Sequence, residues 1–127
     1  MPRRTSVYTD EYQHTNPVPA ACRIDNVVYS GAIVGTDRER GTARTLDEQC
    51  AVMFRRLRDI VTAADCDLSD VVKVTLWMAD RRDRSAVNRE WTAMFPDPAD
   101  RPARHVVQVE LDEATLIQCD FVAVLSR

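Results

Sequence analysis

Apolar and polar residues alternate along VVKVTLWM, residues 71–78. This puts Val72, Val74, Leu76 and Met78 on one strand face and Val71, Lys73, Thr75 and Trp77 on the other. HVVQVE and ATLIQCDFVAVL, in the last quarter of the chain, are a second strongly β-patterned pair of segments. Near the start, NPVPAACRI and NVVYSGAIVG predict two short strands separated by a turn at Asp25-Asn26. Pro17 and Pro19 confine the first of these to a sheet edge or a strand start, because proline has no N–H to donate to a ladder. Residues 35–44, GTDRERGTAR, form a polar loop holding two of the three glycines.

The period then changes to that of a helix. Thr45-Leu46-Asp47-Glu48 is a capping-box sequence, and Leu46, Cys50, Met53, Phe54, Leu57, Val61 and Ala64 recur behind it at helical spacing. Arg55, Arg56, Arg58 and Asp59 fall on the opposite side, a solvated face. After a turn over 65–70 and the strand at 71–78, RRDRSAVNREWTAMF carries Val87, Trp91, Met94 and Phe95 at helical spacing, with a cap expected at Asp83 or Ser85, and PDPADRP ends it. The order is ββ, α, β, α, ββ, and each helix has one apolar stripe to bury. The fold class is therefore α+β, a mixed sheet with both helices on one face, in a single domain over 1–127.

Composition narrows the function. A net charge of −3 and a pI of about 5.3 give no electrostatic ground for nucleic acid or an anionic membrane. No segment approaches the roughly 18 apolar residues of a membrane span, so the chain is expected to be soluble and cytoplasmic. Cys22, Cys50, Cys66 and Cys119 are widely spaced, and neither His14 nor His105 completes a ligand spacing with them. Buried free thiols are expected, with neither disulfide nor metal.

Candidate chemistry lies at Arg104 and Asp120, which bracket the C-terminal pair of strands. Arginine is a permanent cation whose planar fork suits a carboxylate, and an acid inside an apolar strand needs a reason to be there. Arg104 alone also fits an ion pair at an interface. For Asp120 two roles stay open, proton transfer beside a held water or pairing with an arginine of a neighbouring subunit. His105 points to the strand face opposite Arg104 by the two-residue period. Trp77 and Trp91 fit core or subunit contacts.

Taken in order, Ser30-Gly31, Asp70-Val71-Val72-Lys73-Val74, Val87-Asn88 with Trp91 and Phe95, and Pro102-Ala103-Arg104 before a valine-rich strand resemble the RidA family over nearly the whole chain. The resemblance implies a fold like that of the bacillus-type chorismate mutase, assembled as a homotrimer with a ligand cleft at each subunit interface. It also implies hydrolysis of reactive enamines and imines to 2-keto acids and ammonia, with no cofactor. Arg104 would then hold the substrate carboxylate and Asp120 the attacking water. Gly31, with Ser30 beside it, would bring a backbone amide to the ligand, and Asn88 would support the site from a helix. The chain departs from the family's usual pattern at Val106, where a cysteine is common, at Val18, where a tyrosine is common, and at Asp120, where glutamate is more frequent.

The chemistry is self-consistent. An imine carbon is already electrophilic, so hydrolysis needs a held water, a proton relay and an anchored substrate. Arg104 cannot act as a base, because a guanidinium keeps its proton. Three functions stay open: a deaminase of broad 2-imino acid scope, a catabolic deaminase dedicated to an aminoacrylate- or aminomuconate-type intermediate, and a non-catalytic trimer that binds a carboxylated metabolite.

Overall fold

The strand predicted from VVKVTLWM lies inside the sheet. The computed structural model describes residues 3–10, 16–37, 44–112 and 114–126. Its strands are β1 (Thr5–Val7), β2 (Ala21–Ile24), β3 (Val27–Ser30), β4 (Ile33–Val34), β5 (Val71–Met78), β6 (Ala103–Gln108) and β7 (Ile117–Val124), and its helices are α1 (Leu46–Ala63) and α2 (Ser85–Met94). They form one sheet in the order β1-β2-β3-β7-β5-β6, with β4 also pairing with β7. β5 and β6 run parallel, which the α2 crossover permits, and β5 pairs antiparallel with β7. α+β architecture with a mixed sheet follows, as predicted.

Both helices cover one face. Val28, Ile33, Val74, Leu76, Met78, Ile117, Cys119, Phe121 and Ala123 from the sheet meet Cys50, Met53, Phe54, Leu57 and Ile60 of α1 and Ala86, Val87 and Trp91 of α2. Leu57 is fully buried, so truncating it to alanine costs about 2–5 kcal/mol in lost transfer and cavity terms. The other face carries no helix, and Tyr29, Val72 and Val124 stand exposed.

α1 starts as predicted. The Thr45 hydroxyl accepts from the Glu48 N–H at 3.2 Å, while the Thr45 N–H donates to Glu48 Oε1 at 2.9 Å. α2 does not: its N-cap is Arg84, with no capping side chain, because the Ser85 hydroxyl is turned back to donate to Asp83 Oδ1. The expected cap at Asp83 or Ser85 is therefore corrected.

Two further expectations are revised and one is narrowed. In β5 the ladder to β7 slips between Val71 and Lys73, so Val71 is buried and Val72 exposed, the reverse of strict alternation. β2 is not an edge. Thr5–Val7, too short to stand out from the polar N-terminus, pairs with it and takes the edge. Arg56 is not part of a solvated face but buried, donating to the Val34 carbonyl at 2.7 Å, the Thr36 carbonyl at 3.0 Å and the Asp37 carboxylate. Arg44 also pairs with Asp37, at 2.5 Å. Fully buried Gln49 ties this corner to the C-terminal segment through the Arg44 and Ala114 carbonyls and the Leu116 N–H. Part of the polar loop, residues 38–43, and His14 lie outside the described residues.

Candidate active site

Arg104 is the second residue of β6, the strand at one end of the sheet. It pairs in register with Val74, which itself pairs with Phe121, so its side chain emerges on the helix-covered face. There the guanidinium carbon lies 5.2 Å from the Trp91 ring centroid, within cation–π reach. Trp91 is held in turn by Phe95, with ring centroids 4.8 Å apart. Burial first, and then the positive charge of Arg84, lower the proton affinity of Arg104, but from so high a starting point that it stays cationic. Among the described residues no carboxylate pairs with it. A half-buried cation resting on an indole with no acidic partner is suited to an anionic ligand.

Asp120 is on the other face. It pairs in register with Thr75, and Thr75 with His105, so His105, Thr75 and Asp120 form a row across β6, β5 and β7 on the side without helices. Asp120 Oδ2 accepts a hydrogen bond from Trp77 Nε1 at 2.7 Å. As the two-residue period requires, His105 points away from Arg104. The two principal candidates are therefore not brought together within one chain, because the sheet stands between them.

Ser30 and Gly31 have internal work. The Ser30 hydroxyl accepts from the Phe121 N–H at 2.8 Å and donates to the Gly31 carbonyl at 2.9 Å, at the point where the β3 pairing with β7 gives way to that of β4. The Gly31 N–H donates to the Ala20 carbonyl at 2.9 Å, so the amide expected to meet the ligand is engaged inside the chain. Asn88 is exposed on α2, one turn before Trp91. Val106, two residues beyond Arg104 on the same strand face, packs against the core, and Val18 is exposed.

Two surface concavities occur elsewhere. One of about 220 Å³ lies between the helices, lined by Phe54, Arg55, Arg58, Glu90 and Met94 among others, and one of about 560 Å³ is lined by Ala79 and residues 108–111. Neither includes Arg104 or Asp120. No group of metal-ligating side chains occurs among the described residues. All four cysteines are free; Cys50, Cys66 and Cys119 are buried as expected, but Cys22 is only half-buried. Sequence reasoning missed the Trp77 contact to Asp120. Alternation placed Trp77 on the face of Thr75, but only the pairing of β5 with β7 sets it diagonal to Asp120.

The family model described as Endoribonuclease L-PSP matches residues 9–125. The chain is 30% identical over 111 residues to 2-iminobutanoate/2-iminopropanoate deaminase of Mus musculus, covering 85% of this chain and 81% of that one. It is 30% identical over 95 residues to the chloroplastic Reactive Intermediate Deaminase A of Arabidopsis thaliana, covering 73% of this chain but only half of that longer protein. Its structure superposes on that of RidA from the Antarctic bacterium Psychrobacter sp. with a TM-score of 0.83 at 26% identity, covering 95% of this chain and 99% of the other. With the family match spanning nearly the whole described sheet and both helices, the chain belongs to the RidA family.

Proposed function

We propose that the chain hydrolyses small 2-imino and enamine acids to 2-keto acids and ammonia, as a homotrimer with a site at each subunit interface. The observation that carries this reading is Arg104, a cation seated on Trp91 at a sheet edge with no acidic partner among the described residues. The deaminase names of the mouse and Arabidopsis relatives favour an imine as the bound acid. The opposed faces of Arg104 and Asp120 favour a site completed by a second copy. Exposed Tyr29, Val72 and Val124 on the uncovered face supply apolar area for such an interface. The family description names an endoribonuclease, but a net charge of −3 gives no steering toward a polyanion.

In this reading Arg104 clamps the substrate carboxylate through two parallel N–H bonds. An enamine first tautomerises to the imine, taking a proton at carbon and giving one up from nitrogen. As the water oxygen bonds to the imine carbon and the C=N π pair moves to nitrogen, Asp120 of the neighbouring protomer takes a proton from that water and passes it to the nitrogen, giving the carbinolamine. The carbinolamine then collapses: Asp120 takes the hydroxyl proton as the C=O bond forms and the C–N bond breaks, and returns it to the nitrogen, which leaves as ammonia. None of these steps calls for a metal or organic cofactor. Val106 and Val18 leave the pocket wall aliphatic where family members commonly carry sulfur and phenol, and so bear on which imino acid fits.

The test is hydrolysis of 2-iminopropanoate generated in situ. Arg104→Ala is expected to abolish acceleration, and Arg104→Lys to restore little, because lysine keeps the charge without the fork. A wild-type protein that binds such acids without turning them over would replace the deaminase with the binding trimer.

A further inference from the structure

Trp77 and Asp120 sit diagonally across the β5–β7 ladder, since Thr75 is the direct partner of Asp120 and Trp77 that of Gln118. A diagonal neighbour is within reach of an aromatic side chain but not of a short one. The indole Nε1–H closes the gap and meets Oδ2 at 2.7 Å. Indole nitrogen donates only and cannot take a proton back. It therefore occupies one carboxylate oxygen, and among the described residues Oδ1 is left as the oxygen open to a water. A bond to an ionised acceptor is also among the stronger hydrogen bonds, enough to hold an aspartate in one rotamer on an otherwise uncovered face.

We infer that Trp77 is the positioning residue of the reaction: its indole N–H fixes the Asp120 carboxylate so that Oδ1 alone handles the water proton. This rests on the deaminase reading, with Asp120 as the proton-transfer group, and adds to it the element that aims that group. Trp77 touches no reacting atom, and its effect passes entirely through Asp120. It should therefore act on turnover and leave the carboxylate clamp at Arg104 undisturbed, since Arg104 projects from the opposite face.

Trp77→Phe keeps the ring and removes the donor. In the assembled wild-type background it is expected to lower kcat about 5- to 30-fold with KM within about twofold, the signature of an interaction realised in the transition state. In an Asp120→Asn background the same substitution should change kcat less than about twofold, because the group it aims is already disabled. Equal losses in both backgrounds would make Trp77 a merely structural residue and overturn the inference. A wild-type kcat in Trp77→Phe beside a collapsed Asp120→Asn would overturn it while leaving the deaminase reading intact. Full turnover in Asp120→Asn would remove both the proton-transfer role and the inference that depends on it. A readout independent of activity is the indole ¹H–¹⁵N spectrum, which holds two resonances for the two tryptophans. Asp120→Asn should move the Trp77 signal and leave that of Trp91 in place, and an unmoved Trp77 signal would also sink the proposal.

Discussion

Arg104 and Asp120 lie two strands apart and on opposite faces of one sheet, Arg104 in register with Val74 on the helix side and Asp120 with Thr75 on the uncovered side. Side chains two strands apart cannot meet through the backbone layer that separates them. If both serve one reaction, they do so across a boundary between copies.

Joined to the proposed homotrimer, this arrangement predicts complementation. Arg104→Ala and Asp120→Asn are each expected to be inactive, yet trimers assembled from an equal mixture should regain about a quarter of wild-type sites, the share in which an intact arginine faces an intact aspartate. Co-expression with two affinity tags, followed by assay of the mixed species, measures it. No recovery in mixed trimers would place the two residues in separate functions.

Arg56 gives a stability prediction. Its guanidinium binds two backbone carbonyls and Asp37 from a buried position on α1, so Arg56→Ala leaves those carbonyls short of a donor, while Asp37 keeps Arg44 as a partner. A loss of about 1–3 kcal/mol is expected in urea unfolding, the range for acceptors left without their donor. A cost below 1 kcal/mol would mean that the corner rehydrates freely.

Gly35 packs against the same corner. A Cβ built there would lie 2.0 Å from the Gln49 carbonyl oxygen, and that oxygen belongs to the first turn of α1, which is itself pinned by the Gln49 side chain. Neither neighbour can yield cheaply. Gly35→Ala is expected to lose about 3 kcal/mol or more, the upper end for overpacking, seen as a lower denaturation midpoint at unchanged slope.

Local signals were the readable ones. The capping box at Thr45 set the start of α1, and the period-two run over 71–78 gave a strand with Val74, Leu76 and Met78 inward. What failed was set by pairing at a distance. The slip that exchanges Val71 and Val72 belongs to the ladder with β7, and the burial of Arg56 depends on Val34, Thr36 and Asp37, some twenty residues upstream. The candidate site shows the same division. Arg104 and Asp120 stand out as misplaced charges in apolar strands, but their opposed faces and the Trp77 contact follow from register, which the sequence of a single strand does not encode.

The buried thiols predict the alkaline limit of the fold. Burial pushes Cys50 up to about 12, with the negative charges of Glu90 and Asp47 adding to it. Cys119, fully buried, is raised by burial first and then by Asp120 and Cys50. In the unfolded chain both thiols titrate near about 8.5. Raised folded values mean that the native state keeps its protons when the unfolded state has lost them. The stabilisation is therefore whole below about pH 8.5 and declines as pH rises toward the folded values, at up to about 1.4 kcal/mol per pH unit for each thiol. Urea unfolding from pH 7.5 to 10.5 should give a level curve that turns downward above about pH 8.5. Cys119→Ala, although less stable at neutral pH because of the cavity it leaves, should show a shallower decline over the same interval. An identical slope in wild type and Cys119→Ala would mean that the alkaline loss comes from other groups.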